Sequence, residues 1–166
     1  DVLSACTNID AALTMEQRQL LFTYFAQESH KLPDNEAVKV ALKKLPLYEL
    51  IESTETSPRY TSVHESQYKS LRNSSDLVPA LCPPNEVLKP KANQETLLCL
   101  LDVQLVSKAD MLVDFGLDHL QDINDAATRN ACMLSILQEH SVLAALNPLF
   151  LRKLQKTPFL PKATLN

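Results

Sequence analysis

Histidine and cysteine are the residues through which this chain could hold a metal ion or build a nucleophile and its base. There are four of each, namely His30, His64, His119, His140, Cys6, Cys82, Cys99 and Cys132. No two of them stand at C-x-x-C, H-x-x-x-H or H-E-x-x-H spacing, at which one loop or one helix face brings two ligands together. The sequence therefore predicts no metal site.

Cys99 is the best candidate for a nucleophile, with His119 or His140 as its base. It lies in the apolar run of residues 97–101, and apolar surroundings raise the pKa of a thiol and keep it unreactive. We interpret Cys99 as a core residue and expect the chain not to be an enzyme. The wide spacing of the cysteines favours free thiols in a reducing, cytoplasmic compartment over disulfides.

The chain contains one glycine, Gly116. Loops that cradle phosphate groups need several glycines, because backbone N–H groups must approach the ligand closely. This composition excludes Walker A, dinucleotide-binding and kinase loops, as well as the G-x-S-x-G elbow of hydrolases. We expect no nucleotide cofactor, and we interpret Gly116 as a close helix contact or a local break in a helix.

The charge pattern argues against two classes of partner. Sixteen basic residues are scattered among twenty acidic ones, for a net charge of −4, and they form no stripe that would neutralise phosphates, so nucleic acid is excluded. Residues 97–101 form the longest apolar run, far short of the roughly 20 residues that span a bilayer. We therefore expect no membrane span. The first residues lack the pattern of a signal peptide, but a mature secreted chain would lack it too, so cysteine usage indicates the compartment better.

Helical periodicity dominates a chain of 166 residues that is 45% hydrophobic but only 5% aromatic. The predicted helices cover residues 14–30, 35–44, 94–101, a segment that begins after Ser107, 125–139, 141–146, and a last one that begins at Asn147-Pro148. We expect one domain over residues 1–166.

Short strands are predicted at residues 47–51 and 60–63, joined by the polar loop 52–59 into a small hairpin. Residues 64–92 are rich in Ser, Asn, Lys and Pro, and we expect irregular chain there, with at most a short helical turn. The fold class is therefore α+β, mainly α-helical with a few short strands.

Capping residues place the ends of several helices. Thr14 and Gln17 form a capping box, and Asp34, Asn93 and Ser107 are predicted to cap the helices that follow them.

Apolar residues at helical spacing identify the faces that we expect to be buried. In the first helix they are Leu20, Leu21, Tyr24 and Phe25. In the helix over 125–139 they are Ala127, Ala131, Leu134 and Leu137.

Two short motifs follow predicted helices. The first is Leu45-Pro46-Leu47-Tyr48-Glu49 and the second is Lys156-Thr157-Pro158-Phe159-Leu160-Pro161. Their order and spacing resemble the sacsin family of very large multidomain co-chaperones, in which similar motifs open extended segments after helices. We predict that Leu47, Tyr48, Phe159 and Leu160 are structural anchors.

The resemblance implies a fragment of a cytoplasmic repeat protein that contains heat-shock-type ATPase modules and a J domain. The Asp-Asn-Gly, Gly-x-Gly and His-Pro-Asp elements of those modules are absent from this sequence, so no active-site residue can be transferred. What remains is a non-catalytic structural or interaction segment. The implied partners are adjacent domains of the same chain and, through the whole protein, seventy-kilodalton heat-shock chaperones and filament proteins.

A secreted four-helix cytokine-like ligand is the alternative. The length, the four cysteines, the many helices and the glycosylation acceptor Asn73-Ser74-Ser75 are all compatible with it. Ten prolines and the predicted hairpin favour the interaction segment instead.

Overall fold

The computed structural model describes residues 13–32, 35–65, 67–72 and 77–158. Its contacts group the chain into two compact units. Unit 1 consists of Asp1–Ser74 and Asn85–Val106, and unit 2 of Ser75–Pro84 and Ser107–Asn166. The sequence predicts one domain over residues 1–166. Two compact units can still unfold together as one domain, so this expectation stays a prediction.

Unit 1 begins with helix α1, Met15–Glu28, which continues into a 3₁₀ turn, Ser29–Lys31. The predicted capping box is confirmed, because Thr14 and Gln17 exchange backbone and side-chain hydrogen bonds. Helix α1 buries Phe22 and Ala26. The face predicted from Leu20 and its neighbours is only partly correct, because Leu20 is 72% exposed and Tyr24 is exposed as well.

Helix α2 spans Glu36–Lys44, and helix α3 spans Glu95–Leu100. The cap of α2 is Asn35, whose side chain accepts the N–H of Ala37 at 2.8 Å, one residue after the predicted Asp34. The predicted cap of α3 is also wrong. Asn93 adopts a left-handed conformation with φ 60°, and Gln94 precedes the helix without a capping side-chain bond.

The predicted hairpin is confirmed, with shorter strands. Strands β1, Tyr48–Glu49, and β2, Tyr60–Thr61, pair antiparallel, with Tyr48 opposite Thr61 and Glu49 opposite Tyr60. The hydroxyl of Ser53 accepts the N–H of Arg59 at 2.7 Å and donates to its carbonyl, which closes the polar loop.

A second sheet was not predicted. Strand β3, Lys69–Leu71, lies between β4, Val87–Leu88, and β5, Gln104–Val106, and both pairings are parallel. Two of these strands fall in the segment predicted to be irregular. Strands of two or three residues are too short to show alternating hydrophobicity, so their pattern gave no signal.

The core of unit 1 lies between its helices and these strands. Its central members are Phe22, Leu42, Leu45, Leu47, Tyr48, Leu50, Leu97, Leu98 and Leu101. The rings of Phe22 and Tyr48 meet edge to face at 5.9 Å, a favourable aromatic arrangement. The Tyr48 hydroxyl donates to the carbonyl of Leu42 at 3.1 Å, and burial raises the pKa of this phenol.

Unit 2 contains a continuous helical run over residues 108–122. It consists of α4, Lys108–Met111, a π-helical turn, Leu112–Gly116, α5, Leu117–His119, and a 3₁₀ turn, Leu120–Asp122. Ser107 caps the run, as predicted, and forms a capping box with Asp110.

Three further helices complete the described part of unit 2. Helix α6 spans Ala126–Gln138, α7 spans His140–Leu146 and α8 spans Phe150–Lys156. Asp125 caps α6 by accepting the N–H of Thr128 at 2.7 Å. Helix α8 begins at Phe150 rather than at Pro148, and Asn147 accepts the N–H of Leu149 at 2.9 Å in the turn before it.

The core of unit 2 consists mainly of leucine and isoleucine, with Phe150, and Gly116 lies against two of its members, Leu81 and Leu112. A Cβ atom on Gly116 would lie 2.9 Å from Cδ2 of Leu112 and 3.0 Å from the carbonyl oxygen of Leu81. The π-helical turn thus packs directly against the 3₁₀ turn Pro79–Leu81. The interpretation of Gly116 as a close helix contact is confirmed.

The fold is α+β, mainly helical with a few short strands, as the sequence predicts. Across the described ranges, none of the helices combines the length and the apolar content that crossing a membrane requires.

Candidate functional site

The four predicted anchors have different outcomes. Leu47 and Tyr48 are buried in the core of unit 1, at 1% and 2% exposure. Phe159 and Leu160 lie outside the described residues. The first of the two motifs on which the resemblance to sacsin rests is therefore a buried segment that leads from α2 into the hairpin.

The three cysteines within the described residues are free thiols. Cys82 and Cys132 are buried free thiols, and burial raises the pKa of Cys132, which keeps it protonated. The interpretation of Cys99 as a core residue is wrong, because this free thiol is exposed. Helix α3 buries Leu97 and Leu98, and Cys99 lies on the opposite side of that helix.

The two histidines proposed as a base for Cys99 each donate a hydrogen bond to a backbone carbonyl three or four residues earlier in the chain. Nδ1 of His119 donates to the carbonyl of Phe115 at 3.0 Å, and the two rings stack at 3.8 Å. Nδ1 of His140 donates to the carbonyl of Leu137 at 2.8 Å. Among the described residues, no three His, Cys, Asp or Glu side chains converge as metal ligands would.

Ser62, His64 and Glu65 form a serine–histidine–carboxylate cluster that the sequence did not suggest. The Ser62 hydroxyl lies 2.6 Å from Nδ1 of His64, but Nε2 lies 3.7 Å from the Glu65 carboxylate, beyond hydrogen-bond distance. A catalytic triad needs both bonds, because the carboxylate fixes the tautomer and orientation of the imidazole. His64 and Glu65 are more than half exposed, so water screens their interaction.

A polar cleft of about 560 Å³ opens in unit 1 between the end of α1 and the start of α3. Its lining includes His30, Lys91 and Glu95. The ammonium group of Lys91 is already 2.9 Å from the carboxylate of Glu49 and 5.0 Å from the centre of the Phe22 ring. This cation therefore serves the fold of unit 1, and the cleft gains little positive charge from it.

Glu49 is the buried carboxylate of unit 1, with 8% exposure. Burial by itself would raise its pKa, but hydrogen bonds from Lys89 at 2.8 Å and Lys91 at 2.9 Å outweigh that effect. The net result is a pKa below the ordinary value of glutamate. The group is an internal ion-pair network that joins β1 to the segment after β4.

An apolar groove of about 250 Å³ lies in unit 2 between α6 and the segment at residues 77–81. Its lining includes Leu77, Val78, Ala131 and Ile136. Lys108 stands at its side and donates to both carboxylate oxygens of Glu139 at 2.9 Å, which lowers the pKa of Glu139. The groove has the size and character to accept an apolar side chain of another protein.

The apolar face predicted for α6 exists, but it was predicted to be buried and it is exposed. Ala127, Ala131, Leu134 and Leu137 are all exposed, whereas the helix buries Cys132 and Ile136 against unit 2. Helix α6 therefore has two apolar faces. The helical spacing of leucine and alanine predicted the outer face. The inner face is a weaker apolar pattern in the sequence, because it includes Cys132 and lies beside the charged residues Arg129 and Glu139.

Helices α6, α7 and α8 expose several large apolar side chains. On these helices and on the turn before α8, they are Leu134, Leu137, Val142, Leu146, Leu149 and Leu151. These six residues belong to α6, α7, α8 and the turn before α8, and each exposes at least 43% of its surface. We call them the exposed apolar set of unit 2.

Comparisons with models of known protein families, with curated proteins and with solved structures gave no match. The resemblance to sacsin therefore stays a prediction, and the chemistry of the described residues carries the functional argument.

Proposed function

We propose that this chain is a non-catalytic interaction module that acts through contacts between the helices of unit 2 and other protein surfaces. The exposed apolar set of unit 2 is the observation that carries the proposal. Exposed apolar side chains on consecutive helices lose contact with water when a partner covers them, which is a favourable change.

The described polar residues support the non-catalytic part of the proposal. His119 and His140 each donate to a nearby backbone carbonyl, the Ser62 cluster lacks its second hydrogen bond, and Lys91 is paired with Glu49. Each of these four groups is thus engaged in the fold or screened by water.

The broader context that we propose is a large, sacsin-like co-chaperone in the cytoplasm, in which this module contacts adjacent domains. Seventy-kilodalton heat-shock chaperones and filament proteins would then be partners of the whole protein. The coding sequence on both sides of this chain tests the context. A neighbouring heat-shock-type ATPase module would support it, and flanking sequence of an unrelated kind would contradict it.

Affinity capture from cell extract tests the interaction function. A variant with Leu134→Lys and Leu146→Lys should lose proteins that the unmodified chain retains, because both changes place a charge on the exposed apolar set. Leu20→Lys is the matched control, since Leu20 is a leucine exposed on a helix of unit 1. Equal recovery with all three proteins would contradict the proposed function.

A further inference from the structure

The outward face of α6 carries no charged side chain. Its members are Ala127, Asn130, Ala131, Leu134, Leu137 and Gln138, and all six are exposed. The solvent-facing side of a surface helix normally carries charged residues. The charges near this helix are engaged elsewhere, since Arg129 donates to the carbonyl of Ile123 and Glu139 pairs with Lys108. This face has the composition of an interface rather than of a solvated surface.

The sizes of the side chains change along the face. Alanine occupies positions 127 and 131 in the first half, and leucine occupies positions 134 and 137 in the second half. If two copies of α6 pack antiparallel about a two-fold axis near position 132, Leu134 of one copy meets Ala131 of the other. Leu137 then meets Ala127, to within one residue along the helix. Small residues thus lie opposite large ones, and the match is self-complementary, as a two-fold interface requires.

We propose that α6 is the interface through which two copies of this chain associate as an antiparallel two-fold dimer. The inference rests on the proposed interaction function and names the partner as a second copy. A partner recognised by charge would find no charged group on this face. A second copy meets no like-charge repulsion there, and the antiparallel helix dipoles attract each other.

The dimer should be weak. Helix α6 has 13 residues, and a pair of such helices covers less surface than the roughly 1,200 Å² at which stable interfaces begin. We therefore expect a dissociation constant on the order of tens to hundreds of micromolar.

Sedimentation equilibrium of the whole chain, from about 10 μM to about 1 mM, measures the association. The unmodified chain should shift from monomer to dimer across this range. Leu134→Lys places two ammonium groups in the interface and should weaken the dimer by about tenfold or more. Ala131→Leu fills the space that Leu134 of the second copy occupies and should weaken it by a similar factor. Leucine is also a good helix former, so the fold should tolerate it.

Leu20→Lys in unit 1 is the control and should dimerise like the unmodified chain. Circular dichroism verifies that each variant is folded. A chain that stays monomeric throughout the range overturns the dimer, as does undiminished association of both α6 variants. If the chain is monomeric but the lysine substitutions still remove proteins captured from extract, the dimer is wrong and the interaction function stands.

Discussion

Glu49 is a buried carboxylate whose ion pairs should stabilise unit 1. Its side chain is buried, and the ammonium groups of Lys89 and Lys91 hold it in the charged form. Replacing it with glutamine keeps the shape but removes the charge that both lysines contact. Hydrogen bonds to charged groups contribute about 1.5 to 3 kcal/mol, so Glu49→Gln should lower the free energy of unfolding by about 1 to 3 kcal/mol at neutral pH.

The pH dependence of that loss follows from the lowered pKa of Glu49. A carboxyl group whose pKa is lower in the folded state stabilises the fold above its ordinary pKa of about 4.3, and this stability is lost as the pH falls through the folded value. The difference between variant and unmodified chain should therefore shrink towards about pH 3. Urea unfolding at both pH values measures it. Glu55→Gln, in the exposed hairpin loop, is the control, and a difference that persists in acid would contradict the ion-pair account.

For single residues, the sequence did not always predict correctly whether a side chain is buried or exposed. Leu47 and Tyr48 were predicted to be anchors because they follow a proline-terminated helix and open a strand. Both are buried, and their role as anchors stays a prediction. Cys99 was wrongly placed in the core. Its neighbours are all apolar, and an apolar run of five residues on a helix covers more than one face, so the run could not show which side chain points outward.

Among the elements, the helical run at residues 108–122 makes the clearest prediction. Alanine is more favourable than glycine in a helix by about 1 kcal/mol, so propensity alone would make Gly116→Ala stabilising. The contacts reverse that sign, because the new methyl group would meet the backbone carbonyl of Leu81 at 3.0 Å. We expect a net loss of about 1 to 3 kcal/mol. Thermal unfolding measures it, and a more stable variant would show that the two turns separate readily.

Caps and periodicity predicted most of the helices, and both signals are local. The capping boxes at Thr14 and Ser107 were found because the two interacting residues are three positions apart. The parallel sheet was missed because β3 pairs with β4 and β5, which lie far along the chain. The hydrogen bonds of this sheet join residues far apart in the chain. Its strands are also too short to show alternating apolar and polar residues in the sequence.

The outer face of α6 shows a different limit of sequence analysis. Periodicity recognised Ala127, Ala131, Leu134 and Leu137 as one apolar face, but it cannot say whether a core or a partner covers that face. The structure places Cys132 and Ile136 in the core instead. A candidate interface was thus visible in the sequence, where it was interpreted as part of the core.

For the whole molecule, the composition predicts that the chain does not bind ATP. One glycine cannot form the loop of backbone N–H groups that binds a triphosphate. Calorimetric titration of the chain with Mg-ATP should give only the heat of dilution. A saturable site of micromolar affinity would contradict this prediction and reveal a nucleotide pocket.

The grouping of the chain into two units raises the question of how many cooperative domains it forms. The core of unit 1 contains Leu47, and that of unit 2 contains Leu143, each with 1% exposure. All members of each core come from one unit. A substitution that disrupts one core should therefore act first on the unit that contains it.

Leu47→Asp and Leu143→Asp test this expectation. A charge without a partner in a core costs several kcal/mol, comparable with the total stability of a domain, about 5 to 15 kcal/mol. Leu47→Asp should remove hydrogen-exchange protection from α2, β1 and α3 while α6 and α7 stay protected, and Leu143→Asp should do the reverse. Leu20→Asp, at an exposed position, should change neither. Loss of protection throughout the chain in both core variants would instead establish one cooperative domain, because the unfolding of either core would then require that of the other.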